Sequence, residues 1–198
     1  MTRASILNYG DRTLNPVHRA VSTLNGRYGL ASRNRLRAVC RRKANMKAIA
    51  GDPMSREQFW FFHPFRVRYS EIDGQGVVFN AHYLTYFDTT ITEYFRALGY
   101  DQFADAKASG VDFHVVKSVI EYKAPILFDQ ELDVAARVAR IGNSSLVFEL
   151  GIFARAAGDL FATGEIVWVN TDQKTHRPVP IAQPIRDLIA TRETHLAG

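Results

Sequence analysis

The sequence predicts an α+β domain in which one antiparallel sheet of five strands wraps around a single long helix. Three observations carry this. An apolar stripe of helical period runs from Leu84 to Leu98. One alternating segment precedes it and four follow. The strand–helix–strand rhythm of a parallel doubly wound sheet is absent.

In chain order, the first strand is expected at 65–69, where Phe65, Val67 and Tyr69 alternate with Arg66 and Arg68. Residues 70–80, with two glycines and several polar groups, form a turn or loop. Asn80 is then a plausible N-cap, with Leu84, Phe87, Ile91, Tyr94, Phe95 and Leu98 on one stripe and Gly99 as the stop. This helix spans roughly 17 residues, or about 25 Å at ~1.5 Å per residue. Alternating strands follow at 113–123, 131–139, 145–154 and 160–170. Their joints are turn-like, at Pro125 to Asp129, Gly142-Asn143 and Ala157-Gly158-Asp159. The last three strands form a meander, hence antiparallel pairing. A short terminal helix is expected from Pro184 to His195. The last strand sets Phe161, Val167 and Val169 opposite Ala162, Gly164, Ile166 and Trp168, so both sheet faces are apolar and self-association is the simplest cover for the second.

The chain has 198 residues, which suits one domain or at most two, and its 46% hydrophobic content suffices for a core. Its formal charge of +5 is unevenly spread: residues 1–52 hold eleven Lys/Arg against Asp11 and Asp52, leaving the remainder mildly acidic. The organisation expected is a basic, mostly disordered extension at 1–55, with one short helix near 33–49, and a domain at 56–198. The extension is read as dispensable sequence ahead of a start at Met46 or Met54; its basic, acid-poor composition also matches an organellar transit peptide. Nucleic-acid binding would rest on that extension alone and is not expected of the domain. No run of ~18 apolar residues predicts a membrane span. The lone Cys40 forms no internal disulfide and suggests a reducing, cytoplasmic setting.

Several chemistries lack their motifs. There is no Gly-x-Ser-x-Gly elbow and no Walker A loop. Gly74-Gln75-Gly76 lacks the third glycine of a dinucleotide fingerprint. His18, His63, His82, His114, His176 and His195 show no metal spacing, so no metal or other cofactor is expected. What remains is Asp73, in a glycine-bearing loop directly before a helix. Most such aspartates are turn formers or caps. One in this place is also a candidate general base or nucleophile beside the unpaired N–H groups of a helix start.

The run Arg66-Val67-Arg68-Tyr69-Ser70-Glu71-Ile72-Asp73-Gly74-Gln75-Gly76-Val77-Val78-Phe79-Asn80-Ala81-His82-Tyr83 resembles the signature of the 4-hydroxybenzoyl-CoA thioesterase family. Glu121-Tyr122-Lys123-Ala124-Pro125 and Arg140-Ile141-Gly142-Asn143-Ser144-Ser145 are similar to further landmarks of it. The resemblance covers about residues 60–192 and implies a hotdog fold, assembly as a homodimer or homotetramer, and hydrolysis of acyl-CoA thioesters without a cofactor. It implies Asp73 as the catalytic carboxylate, with the Asn80 N–H polarising the thioester carbonyl. Many members carry His where this chain has Asn80, so a general-acid imidazole is absent there. Tyr69, Gly76, Val77 and Ala81 would line the site. Arg140, Asn143, Ser144 and Ser145 would meet the pantetheine or phosphates of CoA, with Lys174 and Arg177 nearby in sequence. His82 is expected on the helix surface or at a subunit contact. Two rivals stay open: hydrolysis on acyl carrier protein, and a non-catalytic acyl-CoA-binding module. A third, a dehydratase of the same fold, is disfavoured because no His-centred motif is present.

Overall fold

The structure, a computed structural model, describes residues 54–196. The expected disorder and short helix of the extension lie outside those residues. Strands β1 (Phe61–Arg66), β2 (Val111–Tyr122), β3 (Glu131–Ile141), β4 (Ser145–Ala154) and β5 (Leu160–Asp172) form one sheet in the order β1-β3-β4-β5-β2. Every neighbouring pair is antiparallel. Helix α1 (Asn80–Ala97) lies across it, α2 (Gln102–Ser109) follows, and α3 (Gln183–Ala190) comes near the end.

The first strand sits earlier than the alternation of 65–69 predicts. Phe61, His63 and Phe65 pair with Ala136, Val134 and Leu132, on the residues that face the core. Pro64 is tolerated because β1 is an edge strand. The strand ends at Arg66 because the next backbone groups are spent elsewhere. The Arg68 N–H donates to the Glu71 carboxylate (2.8 Å), and Glu71 N–H donates to Arg68 O (3.0 Å), closing a 3-10 turn at Tyr69–Glu71. Tyr69 therefore leaves the strand and is 82% exposed.

Helix α1 buries Tyr83, Tyr86, Phe87, Thr90, Ile91, Tyr94 and Phe95 against the sheet. Its face is rotated from the predicted stripe, so Leu84 is exposed and Tyr83 and Tyr86 take the core positions. Gly164 makes close seating possible: a Cβ there would stand 2.5 Å from Cε2 of Phe87. The helix stops where expected, with Gly99 at φ +80. The short α2, between Asp101 as N-cap (its carboxylate accepts Ala104 N–H, 2.9 Å) and left-handed Gly110, was not anticipated; it buries none of its residues.

Phe161 departs from the reading that sets it on the outer face. Pairing of β4 with β5 is irregular between Ile152 and Phe153, and Phe161 turns into the main core. Val167 and Val169 remain half-buried on the outer side. The outer side of β3 and β4 is covered by the chain itself: Phe59 and Met54 pack with Phe62, Ala135, Phe153 and Leu160. The Arg56 guanidinium lies 4.6 Å over the Phe62 ring and pairs with Asp133 at 2.8 Å.

The expected terminal helix is broken after Ala190, and a 3-10 turn follows at Thr194–Leu196. The break lets Glu193 turn inward, where its carboxylate accepts from Trp60 Nε1 (3.1 Å), the Tyr94 hydroxyl (2.9 Å) and Val138 N–H (3.0 Å).

Candidate active site

The Asp73 loop is a small closed hairpin. Ile72 bridges Val78, Asp73 N–H donates to Val77 O (2.9 Å), and Gly76 N–H donates to Asp73 O (2.9 Å). Gly76 holds φ +76, a left-handed conformation that favours glycine, and so closes the turn. Val78 N–H donates to Ile126 O (2.8 Å) and Val77 bridges Leu127, which ties the loop to the connection between β2 and β3.

Asp73 is half-buried at the tip of this hairpin. Its Oδ1 accepts Gln75 N–H at 2.7 Å, so it is a turn former as well as a candidate base. Among the described residues, nothing bonds to its Oδ2. Seven residues on, α1 begins at Asn80, one residue earlier than an Asn80 N-cap would place it. The N-cap is Phe79, whose side chain carries no acceptor; its backbone oxygen takes His82 N–H (3.0 Å), and the Asn80 and Ala81 N–H groups at the helix start have no side-chain cap.

Gly76, Val77 and Ala81 flank Asp73 and Asn80 in this loop and first helical turn, with Gly76, Asn80 and Ala81 exposed and Val77 half-buried. Tyr69 stands outside it, edge-on to Phe128 with ring centroids 6.0 Å apart. His82 is half-buried and lies 6.2 Å from the Phe79 ring. The second predicted group is elsewhere. Arg140, Asn143, Ser144 and Ser145 lie where β3 gives way to β4, whereas Asp73 lies near the start of β3. The eleven residues of β3 separate them by about 30 Å at ~3.3 Å per residue. The Gly142 and Asn143 carbonyls there accept from Arg186 Nη2 at 2.6 and 2.7 Å.

Two features of the site were missed in the sequence. Tyr83 is buried in the first turns of α1, edge-on to Tyr122 at 4.9 Å. Burial pushes its hydroxyl up to about 12, with the Tyr122 and Asp73 charges adding and the Ile126 backbone opposing, so it stays neutral beside Asp73. Glu71 is 2% exposed and accepts from Arg68 N–H, Arg68 Nε (2.9 Å) and Nη2 (2.7 Å), and the Tyr86 hydroxyl (2.7 Å). Its burial alone would raise its pKa, but these donors outweigh that and hold it below the ordinary 4.5. Tyr86 sits 15 residues away, so no local pattern signals the pair.

Among the described residues no cluster of three or more His, Cys, Asp or Glu could hold a metal ion, and no helix is long and apolar enough to cross a membrane.

A five-stranded antiparallel sheet around one long helix, with a carboxylate at the helix entrance, defines a hotdog-fold protein of the thioesterase class. The sequence profile of the Thioesterase-like superfamily matches residues 67–189, and the chain belongs to that family. It is 31% identical over 125 residues to the acyl-CoA thioester hydrolase YbgC of Escherichia coli, a stretch covering 63% of this chain and 92% of that protein. It is 26% identical to the putative acyl-CoA thioesterase YneP of Bacillus subtilis, over 61% of this chain and 86% of that one. The crystal structure of the PA5185 protein of Pseudomonas aeruginosa superposes with a TM-score of 0.63 at 35% identity, covering 71% of this chain and 97% of that one. The 1,4-dihydroxy-2-naphthoyl-CoA thioesterase Slr0204 of Synechocystis shares the fold, with a TM-score of 0.62 at 17% identity over 66% and 95% of the two chains.

Proposed function

We propose that this chain hydrolyses acyl-CoA thioesters, with Asp73 as base or nucleophile and the Asn80 N–H as the electrophilic aid. The observation that carries the reading is the half-buried Asp73 at the entrance to a helix whose N-cap, Phe79, offers no side-chain acceptor. A thioester needs only a delivered nucleophile and a stabilised oxyanion. In one route the Asp73 carboxylate adds to the carbonyl carbon, the C–S bond breaks, and CoA leaves as thiolate. Water then cleaves the acyl–aspartyl anhydride. In the other, Asp73 takes a proton from the water that adds, and that proton passes to the departing sulfur. In both, the oxyanion lies against the N–H groups at the positive end of α1. With Asn80 at the start of the helix, no imidazole takes part there. A cytoplasmic setting, read from the lone Cys40, belongs to the same proposal.

Assembly of two copies supports the CoA end of the site. β2 is a twelve-residue edge strand with Val115, Val116, Val119 and Tyr122 exposed, and such an edge invites pairing. Its Tyr122 end meets Tyr83 beside Asp73, and its Val111 end pairs with Asp172, toward the 142–145 hairpin. Antiparallel pairing of two β2 strands would bring the Asp73 end of one copy to the Arg140 end of the other. That would complete a site whose halves are about 30 Å apart within one chain.

The test is Asp73→Asn, which keeps shape but is neither nucleophile nor base. Thiol release across short, long, branched and aromatic acyl-CoAs should fall roughly 10²-fold or more, with the fold kept. A folded variant with near-normal kcat would overturn the assignment.

A further inference from the structure

We propose that Glu71 is a positioning residue for Asp73: with Tyr86, it pins the Asp73 hairpin to helix α1 and so sets the carboxylate against the helix N-terminus. The inference rests on the reading of Asp73 as the catalytic group. Glu71 holds the base of the hairpin in two ways. Its backbone oxygen accepts the N–H of Phe79 (2.9 Å), the residue that caps α1. Its carboxylate accepts the hydroxyl of Tyr86 (2.7 Å), about two turns further up α1. The same carboxylate takes the backbone N–H of Arg68 (2.8 Å) and the Nε and Nη2 donors of its guanidinium, which ends β1 and starts the turn. Asp73 is two residues beyond this knot, across the bridge of Ile72 to Val78.

The carboxylate cannot itself act on substrate, since it is 2% exposed and its oxygens are occupied by four donors. Buried carboxylate networks add little net stability over an apolar replacement, but they fix one arrangement of the groups they join. Here those groups are the end of β1, the hairpin and α1, the parts that set the distance from Asp73 to the Asn80 N–H. An error of about 1 Å in such a placement costs on the order of 10²-fold in turnover.

Two variants test this in the full chain. Tyr86→Phe removes one hydroxyl and keeps the ring that packs 5.0 Å from Phe65. Glu71→Gln keeps the shape and removes the charge. With hexanoyl-CoA and benzoyl-CoA as probes, each variant should lose roughly tenfold or more in kcat with KM within about twofold. Combined with Asp73→Asn, Glu71→Gln should cost nothing further, because the group it positions is already gone. Folded variants with wild-type kcat, or losses that multiply in the double variant, would overturn the proposal. If Glu71→Gln does not fold, Tyr86→Phe decides it on the same readouts. Failure of the Asp73 reading is seen separately, as retained turnover in Asp73→Asn alone.

Discussion

Glu71 and Asp73 are two carboxylates two residues apart with opposite surroundings. Glu71 spends its oxygens on Arg68 and Tyr86 inside the fold, while Asp73 gives one oxygen to Gln75 N–H at the surface of a turn. The first is therefore committed to structure, while the second keeps one oxygen available for the chemistry proposed for it. The folded state holds the Glu71 pKa below its usual 4.5, despite burial, through the donors of Arg68 and Tyr86. A depressed carboxylate stabilises the fold in its charged form. That contribution is complete above pH 4.5 and is lost as pH falls below 4.5 through the lower folded value. Thermal melts between pH 7 and pH 3 should therefore drop more steeply for the wild type than for Glu71→Gln, with the other carboxylates common to both. Parallel curves would sink this account.

Among the elements, those with a periodic apolar face were legible and those held by polar contacts were not. Strand 145–154 matches β4, and the α1 stop at Gly99 follows from its left-handed φ. The strand read at 65–69 was misplaced because the pull of the Glu71 carboxylate on Arg68 leaves no mark in the alternation. The terminal helix was drawn too long for the same kind of reason. Its break lets Glu193 reach Trp60, Tyr94 and Val138, partners scattered across the chain. Helix α2 escaped notice because it buries no residue and so has no stripe. The role of Glu193 is testable. Glu193→Ala leaves three donors without partners, two of them buried, at a cost of roughly 3 kcal/mol. The melting temperature should fall by about 10 °C, while the Asp73 hairpin, which shares no bond with Glu193, keeps its kcat at low temperature. A shift of only a degree or two would show that water or His195 replaces the carboxylate without loss.

For the whole molecule, the proposed self-association needs a surface on which a second copy could meet the first. The sequence pointed to the outer sheet face through Phe161, Val167 and Val169, but Phe161 is in the core, and Phe59 and Met54 cover β3 and β4 from the outside. The rest of that face carries ion pairs, Lys117 with Glu165 and Arg137 with Glu149, which do not suit a dry interface. The unprotected β2 edge remains, with its exposed valines. Edge pairing there would make one continuous sheet of two copies and remove one free edge from each. Light scattering at micromolar concentration should accordingly give at least a dimer. The sharper measurement uses two damaged chains: Asp73→Asn, which lacks the carboxylate, and Arg140→Glu, which on this proposal would repel the phosphates of CoA. Each alone should be nearly inactive at substrate concentrations far below KM. If each site joins Asp73 of one copy to Arg140 of the other, a mixed dimer carries both lesions in one site and none in the other. Mixing after dissociation and reassociation should then restore turnover that neither parent has. If each chain holds its whole site, every site in the mixture keeps one lesion and nothing is regained. A fully active monomer would remove the β2 edge from the account altogether.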